Sequence, residues 1–328
     1  MGTTTPAVSV CIPTFNSERY LSKALTSIAA QGFGDYEVIA VDDCSSDGTW
    51  EILNAVEDSR YRIFRNPRNL GRVKNTNRTL RLARGTFVKI LHPDDWLDPH
   101  CLARMKEAAD QFESGLVFCE RNVETEDSDS ARTKDWLKWA GSLTNTAEFI
   151  KPGFLEGRAL VGHLLAEPGS RNRIGEPSTV MFRREVLRES GYFNERLWQA
   201  DDSDLWLRIL WFTNAVFVPE PLTTFLFRAG SETSVNTDNP EKSRNWLDRL
   251  WMVTGWKELA SLWATHPELE KRLASEERRA LRLLKSRRDR ESLRQLLTYV
   301  QHRTLGGQSL IFPGDRVPRR TISPPATR

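Results

Sequence analysis

The chain has 328 residues, of which 39% are hydrophobic and 28% charged, and its formal net charge is +3. Proportions of this kind are typical of soluble globular proteins and argue against a disordered or membrane-spanning chain. The length allows one large α/β domain with a smaller appendage, or two domains. Because the net charge is so small, the composition does not favour nucleic acid as a partner, and we expect none.

The sequence has no sign of a membrane span or of export. No apolar stretch reaches the roughly 20 residues that a spanning helix needs, and the chain does not open with a basic and then an apolar segment. The four cysteines, Cys11, Cys44, Cys101 and Cys119, lack Cys-x-x-Cys spacing and are expected to be reduced thiols. We therefore expect a cytoplasmic protein.

Segments typical of strands and of helices alternate in the first 119 residues. Short apolar runs predict strands at residues 8–12, 36–41, 61–65, 86–91 and 116–119. Helical spacing of apolar residues predicts helices at residues 18–31, 50–56, 73–83 and 99–112. This alternation predicts βαβ units, and hence an α/β fold with a Rossmann-like, mainly parallel sheet flanked by helices.

The rest of the chain is less regular. We expect a mobile surface excursion at residues 120–135, where charge is dense, followed by helical spacing near residues 155–164, a strand at 178–182, a short helix at 184–190 and strands at 215–218 and 222–227. Only helical spacing remains after residue 240. We divide the chain into a main domain of residues 1–238, with halves 1–119 and 120–238, a C-terminal helical extension of residues 239–303, and a flexible basic tail of residues 304–328.

The tail is the segment that suggests a membrane surface. It contains four arginines and one aspartate, and the apolar residues Leu310, Ile311 and Phe312 precede three of those arginines. Apolar residues beside basic ones favour anionic lipid, so one interpretation is peripheral contact through the C-terminal tail at the inner face of the membrane. The other interpretation is that these apolar residues pack onto the main domain.

Polar side chains follow three of the predicted strands. Thr14 and Asn16 follow the first strand, Asp42 and Asp43 the second, and Asp94 and Asp95 the fourth. Ligands of open α/β sheets bind at the carboxyl ends of the strands, so these groups are expected to meet in one crevice. A carboxylate pair there can hold a divalent metal together with phosphate oxygens. Alternatively, Asp95 or Asp98 caps the next helix, and the residues alone leave both open.

Four segments in this order resemble the inverting family 2 glycosyltransferases with the GT-A fold. They are residues 8–16 (VSVCIPTFN), 41–49 (VDDCSSDGT), 93–97 (PDDWL) and 201–208 (DDSDLWLR), and the resemblance covers roughly residues 8–228. It implies a metal-dependent enzyme that moves a sugar from a nucleotide-diphospho-sugar, a UDP- or dTDP-sugar, to an acceptor hydroxyl. It further implies a saccharide or lipid-linked saccharide acceptor, in bacterial surface polysaccharide or glycoconjugate biosynthesis.

The resemblance also assigns the donor site. It places the nucleotide, usually through uracil or thymine, at Pro13, Thr14, Phe15, Asn16, Asp43 and Asp94, and the phosphate or transferred sugar near Arg72 and Lys74. An acid suits the place of Asp43 because a carboxylate can accept a hydrogen bond from the ring N–H of the base. Arg72 and Lys74 have an alternative interpretation as exposed basic residues of a helix.

The metal and the general base are implied by the two acidic pairs. Asp94 and Asp95 match the motif for Mn²⁺ or Mg²⁺, with Asp95 preferred as the direct ligand, although His92 stands where many relatives have another aspartate. Asp201 and Asp202 match the pair that takes the proton of the acceptor hydroxyl, and we prefer Asp202. The alternative is that Asp201 and Asp204 cap the helix that begins there, because the helix dipole favours acids in a first turn.

Two other functions remain to be separated from glycosyl transfer. A sugar nucleotidyltransferase has a related sheet but requires a glycine-rich basic loop after the first strand, and residues 13–17 contain neither glycine nor lysine. A non-catalytic carbohydrate- or partner-binding module would be favoured by the loss of an acid from either pair, and both pairs are complete.

Overall fold

The structure is a computed structural model that describes residues 5–126, 128, 131–140, 142–143, 147–166, 172–197, 199–228 and Arg278. All of these except Arg278 belong to the first of two compact units, residues 1–248. The predicted helical extension and basic tail lie outside the described residues, apart from Arg278. The membrane interpretation of the tail therefore remains a prediction.

The first half of the sheet is parallel, as the alternating pattern predicted. Its elements are β1 (Val8–Thr14), α1 (Glu18–Ala29), β2 (Tyr36–Asp42), α2 (Thr49–Asn54), β3 (Tyr61–Arg65), α3 (Arg72–Leu82) and β4 (Phe87–Ile90). These strands stand in the order β3-β2-β1-β4, and each neighbouring pair is parallel. The carboxyl ends of all four strands therefore lie at one edge of the sheet.

The second half adds antiparallel strands. Its elements are β5 (Trp96–Leu97), α4 (Cys101–Gln111), β6 (Leu116–Thr125), α5 (Ala131–Ala140), β7 (Gly153–Leu155), α6 (Gly157–Ala166), β8 (Val180–Arg183), α7 (Leu187–Ser190), α8 (Asp201–Phe212) and β9 (Ala215–Phe227). The sheet continues as β4-β8-β6-β9-β5, and β7 also pairs with β9. Strand β8 is antiparallel to β4 and β6, whereas β9 is parallel to β6. The protein therefore has an α/β fold whose sheet is mixed, with both parallel and antiparallel strand pairs.

Two predictions about this half are wrong. The charged segment predicted as a mobile excursion continues β6 as far as Thr125, which pairs with Phe227 of β9, and helix α5 begins at Ala131. The charge is tolerated because it has partners, as Arg121 is buried and forms an ion pair with Glu176. The two strands predicted at 215–218 and 222–227 are one strand, β9, with an irregular register where β6 passes Pro221.

A continuous apolar core fixes the position of the strand ends. Every residue of β1, β2 and β4 is buried, and α1 contributes Leu21, Ala24 and Ile28 to the same core. Burial of each such leucine or isoleucine side chain contributes about 1.5–3 kcal/mol, so the sheet resists shifts in register. Within the described residues, no helix combines the length and the apolar character needed to span a bilayer.

Candidate active site

A cavity of about 470 Å³ opens where the first-half strands end. Pro13 and Thr14 from the end of β1, Asp43 after β2 and the segment from His92 to Asp94 after β4 all line it. The second half of the sequence contributes Glu176, Gln199, Asp201, Asp202 and Arg228 from the other side. The structure therefore brings one of the predicted polar residues from each strand end, Thr14, Asp43 and Asp94, into one cavity, whereas Asn16, Asp42 and Asp95 do not line it.

Asp43 forms one buried wall of the cavity. Its oxygens accept hydrogen bonds from the backbone N–H groups of Leu70, at 2.9 Å, and Gly71, at 2.8 Å, and from the side-chain amide of Asn66. Only the Gly71 bond goes to Oδ2, so that oxygen keeps a lone pair for a ligand. Phe15 lies at the rim with 48% of its surface exposed, which gives the cavity an uncovered aromatic ring.

Two residues predicted to bind the nucleotide do not line the cavity. Asn16 has a positive φ of 47°, and its side-chain oxygen accepts the Ser46 N–H at 3.0 Å, so it orders the loop after β2. Lys74 is exposed on α3 and is not among the cavity residues. The remaining predicted residues, Pro13, Thr14, Phe15, Asp43, Arg72 and Asp94, all line it.

Asp94 and Asp95 point in different directions. Asp94 lines the cavity, whereas Asp95 is only 1% exposed and is not among the lining residues. Asp95 accepts hydrogen bonds from the Ser178 hydroxyl, at 2.5 Å, and from the Leu226 N–H, at 3.1 Å. Burial, and then the charge of Asp94, raises the pKa of Asp95 well above its ordinary value. This geometry favours Asp94 as a direct metal ligand, in contrast to the preference for Asp95 drawn from the sequence.

Ser178 fixes the turn that carries Asp94. Its hydroxyl donates to Asp95 and accepts the backbone N–H of His92 at 3.1 Å, while its carbonyl accepts a hydrogen bond from the buried Lys89 ammonium. Burial holds the pKa of the His92 imidazole below its ordinary value, so the ring is neutral near pH 7. Ser178 thus anchors the turn on both sides of Asp94, through the N–H of His92 and the carboxyl group of Asp95.

Asp201 is held in an ion pair. The Arg72 guanidinium donates two parallel hydrogen bonds to it, at 2.9 and 2.8 Å, and the carboxylate is 1% exposed. Bidentate pairs of this kind are strong and fix orientation. Arg72 lies at the first position of α3 and Asp201 at the first position of α8, so the pair also joins the two halves of the site.

Asp202, unlike Asp201, accepts no hydrogen bond from an arginine within the described residues. It accepts hydrogen bonds from the Asn172 amide, at 2.9 Å, and from the Ser203 N–H, at 2.6 Å. Burial, and then the neighbouring charge of Asp201, raises the pKa of Asp202 from 3.8 to about 8. The N-cap residue of α8, Ala200, makes no side-chain cap hydrogen bond. Asp201 pairs with Arg72 and Asp204 with Arg208, which argues against the interpretation that these two acids cap the helix.

Two charged residues of the cavity had not been predicted. Glu176 precedes a 3₁₀ turn, Pro177–Thr179, and no pattern in the sequence distinguishes it. Arg228 follows the end of β9 and forms an ion pair with Asp94, in which Nε donates a hydrogen bond to Oδ2 at 3.1 Å and Nη2 lies 3.0 Å from the same oxygen. The rule that polar residues at strand ends reach the crevice, applied to the predicted strand at 222–227, would have predicted Arg228.

The electrostatics of the cavity fit a divalent cation that arrives with an anionic ligand. Five of its described lining residues are acids and two are arginines, so an anion alone would meet an excess of negative charge. No group of three or more His, Cys, Asp or Glu side chains able to hold a metal occurs within the described part of the chain. Asp94 suits a metal that takes one or two carboxylates from a protein and its other ligands from phosphates and water, as Mg²⁺ commonly does.

Replacement of Asp202 by asparagine should stabilise the protein increasingly as the pH rises. The folded protein holds the Asp202 proton more tightly than the unfolded chain, so the wild type loses stability between the ordinary carboxyl pKa, 3.8, and about 8. Asparagine cannot ionise and lacks this loss. Melting curves at about pH 5 to 9, without metal or nucleotide, should show that the melting temperature of the variant exceeds that of the wild type by a difference that widens up to about pH 8. Each kcal/mol of stability corresponds to about 2–4 °C in melting temperature.

The exposed Asp35 provides the control for that experiment, as Asp35→Asn removes a carboxylate that lies outside the cavity. A gap between Asp202→Asn and the wild type that stays constant with pH would contradict the raised pKa.

Comparison with known proteins gives the family of the chain. The mixed, mainly parallel sheet with flanking helices is that of the class of nucleotide-sugar-dependent transferases. The model described as glycosyl transferase family 2 matches residues 9–191, more than half of the chain. The chain belongs to glycosyltransferase family 2, the GT-A family whose known mechanism is inverting, and it is a glycosyltransferase.

Sequence relatives cover different shares of the chain. An uncharacterised protein of Mycobacterium tuberculosis, MT1568, is 32% identical over 249 residues, which are 76% of this chain and 75% of that protein. The GalNAc(5)-diNAcBac-PP-undecaprenol beta-1,3-glucosyltransferase of Campylobacter jejuni is 36% identical over 138 residues, which are 40% of this chain and 45% of that enzyme. This chain therefore matches less than half of the Campylobacter enzyme.

Solved structures support the fold. Residues 1–349 of Staphylococcus aureus TarS, in complex with UDP-GlcNAc, align with a TM-score of 0.58 at 21% identity over 75% of this chain and 65% of that one. The mannosyltransferase PcManGT of Pyrobaculum calidifontis, in complex with GDP-Man and Mn²⁺, aligns with a TM-score of 0.53 at 20% identity over 91% and 80%. At these identities the likeness concerns the fold alone, and it confirms the predicted fold class.

Proposed function

We propose that this glycosyltransferase is metal-dependent and moves a sugar from a UDP- or dTDP-sugar to an acceptor hydroxyl. The observation that carries the proposal is that three carboxylates, Asp43, Asp94 and Asp202, line one cavity. Of their sequence neighbours, Asp95 does not line the cavity, and Asp201 lines it but has both oxygens bound by Arg72. Each carboxylate is available for a different part of the reaction.

Asp43 and Phe15 are proposed to bind the base. Uracil and thymine both have a ring N–H that can donate to the remaining lone pair on Oδ2 of Asp43, and both have a face that can stack on the exposed ring of Phe15. Asp43 is fixed by two backbone N–H groups, so it is oriented before the ligand arrives. A fixed acceptor lowers the entropy cost of binding.

Asp94 is proposed to hold Mn²⁺ or Mg²⁺ on the diphosphate of the donor. The metal, when bound, offsets the negative charge that develops on the leaving diphosphate. A cation at Asp94 also relieves the repulsion that an anionic donor would meet from the other acids of the cavity. The Mn²⁺ in the mannosyltransferase complex belongs to a distant structural relative, and for this chain the metal is part of the proposal.

Asp202 is proposed to be the general base. As the acceptor oxygen forms its bond to the anomeric carbon and the bond to the diphosphate breaks on the opposite face, the carboxylate of Asp202 takes the hydroxyl proton. A base with a pKa near the working pH removes that proton effectively. Asp201 is less suited because both of its oxygens accept hydrogen bonds from Arg72.

The acceptor is proposed to be a saccharide or a lipid-linked saccharide of bacterial polysaccharide or glycoconjugate biosynthesis. Relatives of the chain act in such biosynthesis, and the Campylobacter relative is described as acting on an undecaprenol-linked glycan. A sugar nucleotidyltransferase is disfavoured by the absence of glycine and lysine from residues 13–17. A non-catalytic binding module is disfavoured because both acidic pairs are complete and each contributes a carboxylate to the cavity, Asp94 from one pair and Asp202 from the other.

Calorimetry with free nucleotides tests the proposal. UDP and dTDP should bind with Mn²⁺ more tightly than with EDTA by about 5–150-fold, the usual range for coupled ligands. GDP should bind more weakly than either, because a guanine ring differs in size and in its hydrogen-bonding edge. Equal affinity for all three nucleotides, or equal affinity with and without metal, would contradict the proposed donor site.

A further inference from the structure

Arg228 occupies the carboxylate that the cavity presents to a metal. Its Nε and Nη2 both approach Oδ2 of Asp94, at 3.1 and 3.0 Å, and its guanidinium lies 4.9 Å from the centre of the Tyr20 ring. The pair is partly exposed, with 28% of the Arg228 side chain and 23% of the Asp94 side chain accessible. The positive charge beside Asp94 in this structure therefore comes from a side chain of the protein, the Arg228 guanidinium.

A divalent cation and this guanidinium compete for the carboxylate of Asp94, where the guanidinium contacts Oδ2. Both carry positive charge, and both need an oxygen of Asp94, so each weakens the binding of the other at that carboxylate. The cost to a metal that arrives alone has two parts, the loss of a charge-assisted ion pair and the repulsion from the nearby guanidinium. A metal that arrives with an anion meets a smaller cost, because the anion can accept the released arginine.

We propose that Arg228 is a positioning residue that excludes free metal from Asp94 and transfers to the donor diphosphate when metal and nucleotide arrive together. The proposal rests on the proposed function, in that the anion is a nucleoside diphosphate. Planar guanidinium groups bind phosphate oxygens in the same bidentate way as carboxylates, so the exchange replaces one favourable partner by another. Metal and nucleotide binding become coupled through one side chain.

The backbone that leads into Arg228 is held by the sheet, so a side-chain movement is sufficient for the exchange. Strand β9 ends at Phe227, one residue before Arg228, and the N–H of Leu226 donates to Asp95. The base of the arginine and the turn that carries Asp94 are thereby tied to each other. Side-chain rotation about this anchor occurs far faster than turnover, so the exchange need not limit the reaction.

Binding of Mn²⁺ without nucleotide tests the competition directly. The signal of free Mn²⁺ in electron paramagnetic resonance falls as the ion binds, and it gives the affinity of the wild type, Arg228→Met and Arg228→Lys. We expect Arg228→Met to bind Mn²⁺ alone at least about fivefold more tightly than the wild type. Arg228→Lys should lie between them, because an ammonium keeps the charge but not the planar fork.

Binding of UDP and of inorganic pyrophosphate in EDTA tests the transfer to the diphosphate. Calorimetry should show that Arg228→Met binds both probes more weakly than the wild type, although it binds Mn²⁺ more tightly. Opposite changes in the affinity for metal and in the affinity for anion distinguish the exchange from general damage to the fold, which would weaken the binding of both. By linkage, the factor by which Mn²⁺ raises UDP affinity should be smaller in Arg228→Met.

Arg60→Met is the matched control. Arg60 pairs with Asp58 at a similar exposure, 36% and 30%, and lies outside the cavity. It should leave the affinity for Mn²⁺ and for both anions unchanged. An unchanged or weaker Mn²⁺ affinity in Arg228→Met would overturn the competition, and unchanged anion affinity would overturn the transfer.

These outcomes are distinct from a failure of the proposed function. If the wild type bound no nucleotide under any condition, the donor assignment would fail and the transfer with it, while the Mn²⁺ measurements would still decide whether Arg228 excludes metal from Asp94.

Discussion

Asp202→Asn is expected to lower the rate of sugar transfer by about 10²–10⁴-fold, the usual contribution of a general base. The change keeps the size of the side chain and one hydrogen-bonding oxygen but removes the proton acceptor. Donor binding should change little, because Asp202 lies on the side of the cavity formed by α8. Steady-state rates with a UDP-sugar and calorimetry with UDP separate the two effects.

Asp201→Asn provides the comparison at the neighbouring position. It leaves Arg72 with one acceptor oxygen in place of two, so a loss of stability is expected together with a smaller loss of rate than for Asp202→Asn. An inactive Asp201→Asn beside an active Asp202→Asn would move the base by one residue. Two active variants would remove the pair from catalysis altogether.

The parallel half of the fold could be predicted from the sequence because its signals are local. Each strand from β1 to β4 is a short apolar run that ends in polar residues, and the helices between them repeat apolar positions such as Leu21 and Ile28. Strand-helix alternation leaves few ways to connect such elements. The convergence of Thr14, Asp43 and Asp94 on one cavity followed from that topology.

The direction of individual side chains could not be predicted in the same way. Asp95 turns inward because its partners, Ser178 and Leu226, are 83 and 131 residues away in the sequence. Asn16 likewise serves a loop that lies 30 residues further on. Adjacent acids look equivalent in a sequence, and only long-range partners decide which one faces the ligand.

The density of charged residues wrongly predicted a mobile segment, again because long-range partners are not visible in the sequence. Residues 120–125 looked too polar for a strand, but β6 extends through them because β9 supplies a parallel partner along their length. Arg121 is buried against Glu176, a residue 55 positions away. A charged segment can therefore be part of a sheet when its charges have partners elsewhere in the fold.

Asp94→Asn is expected to abolish the increase in UDP affinity that Mn²⁺ produces in the wild type, an increase of about 5–150-fold. Asparagine keeps the shape of the side chain but loses the negative charge that holds the metal. Asp95→Asn is the matched variant, because its amide oxygen can still accept from Ser178 and Leu226 while it removes a carboxyl whose pKa is already raised by burial. It should therefore keep the metal effect. Calorimetry with UDP in Mn²⁺ and in EDTA decides between them, and a metal effect that survives in Asp94→Asn but disappears in Asp95→Asn would return the ligand to Asp95.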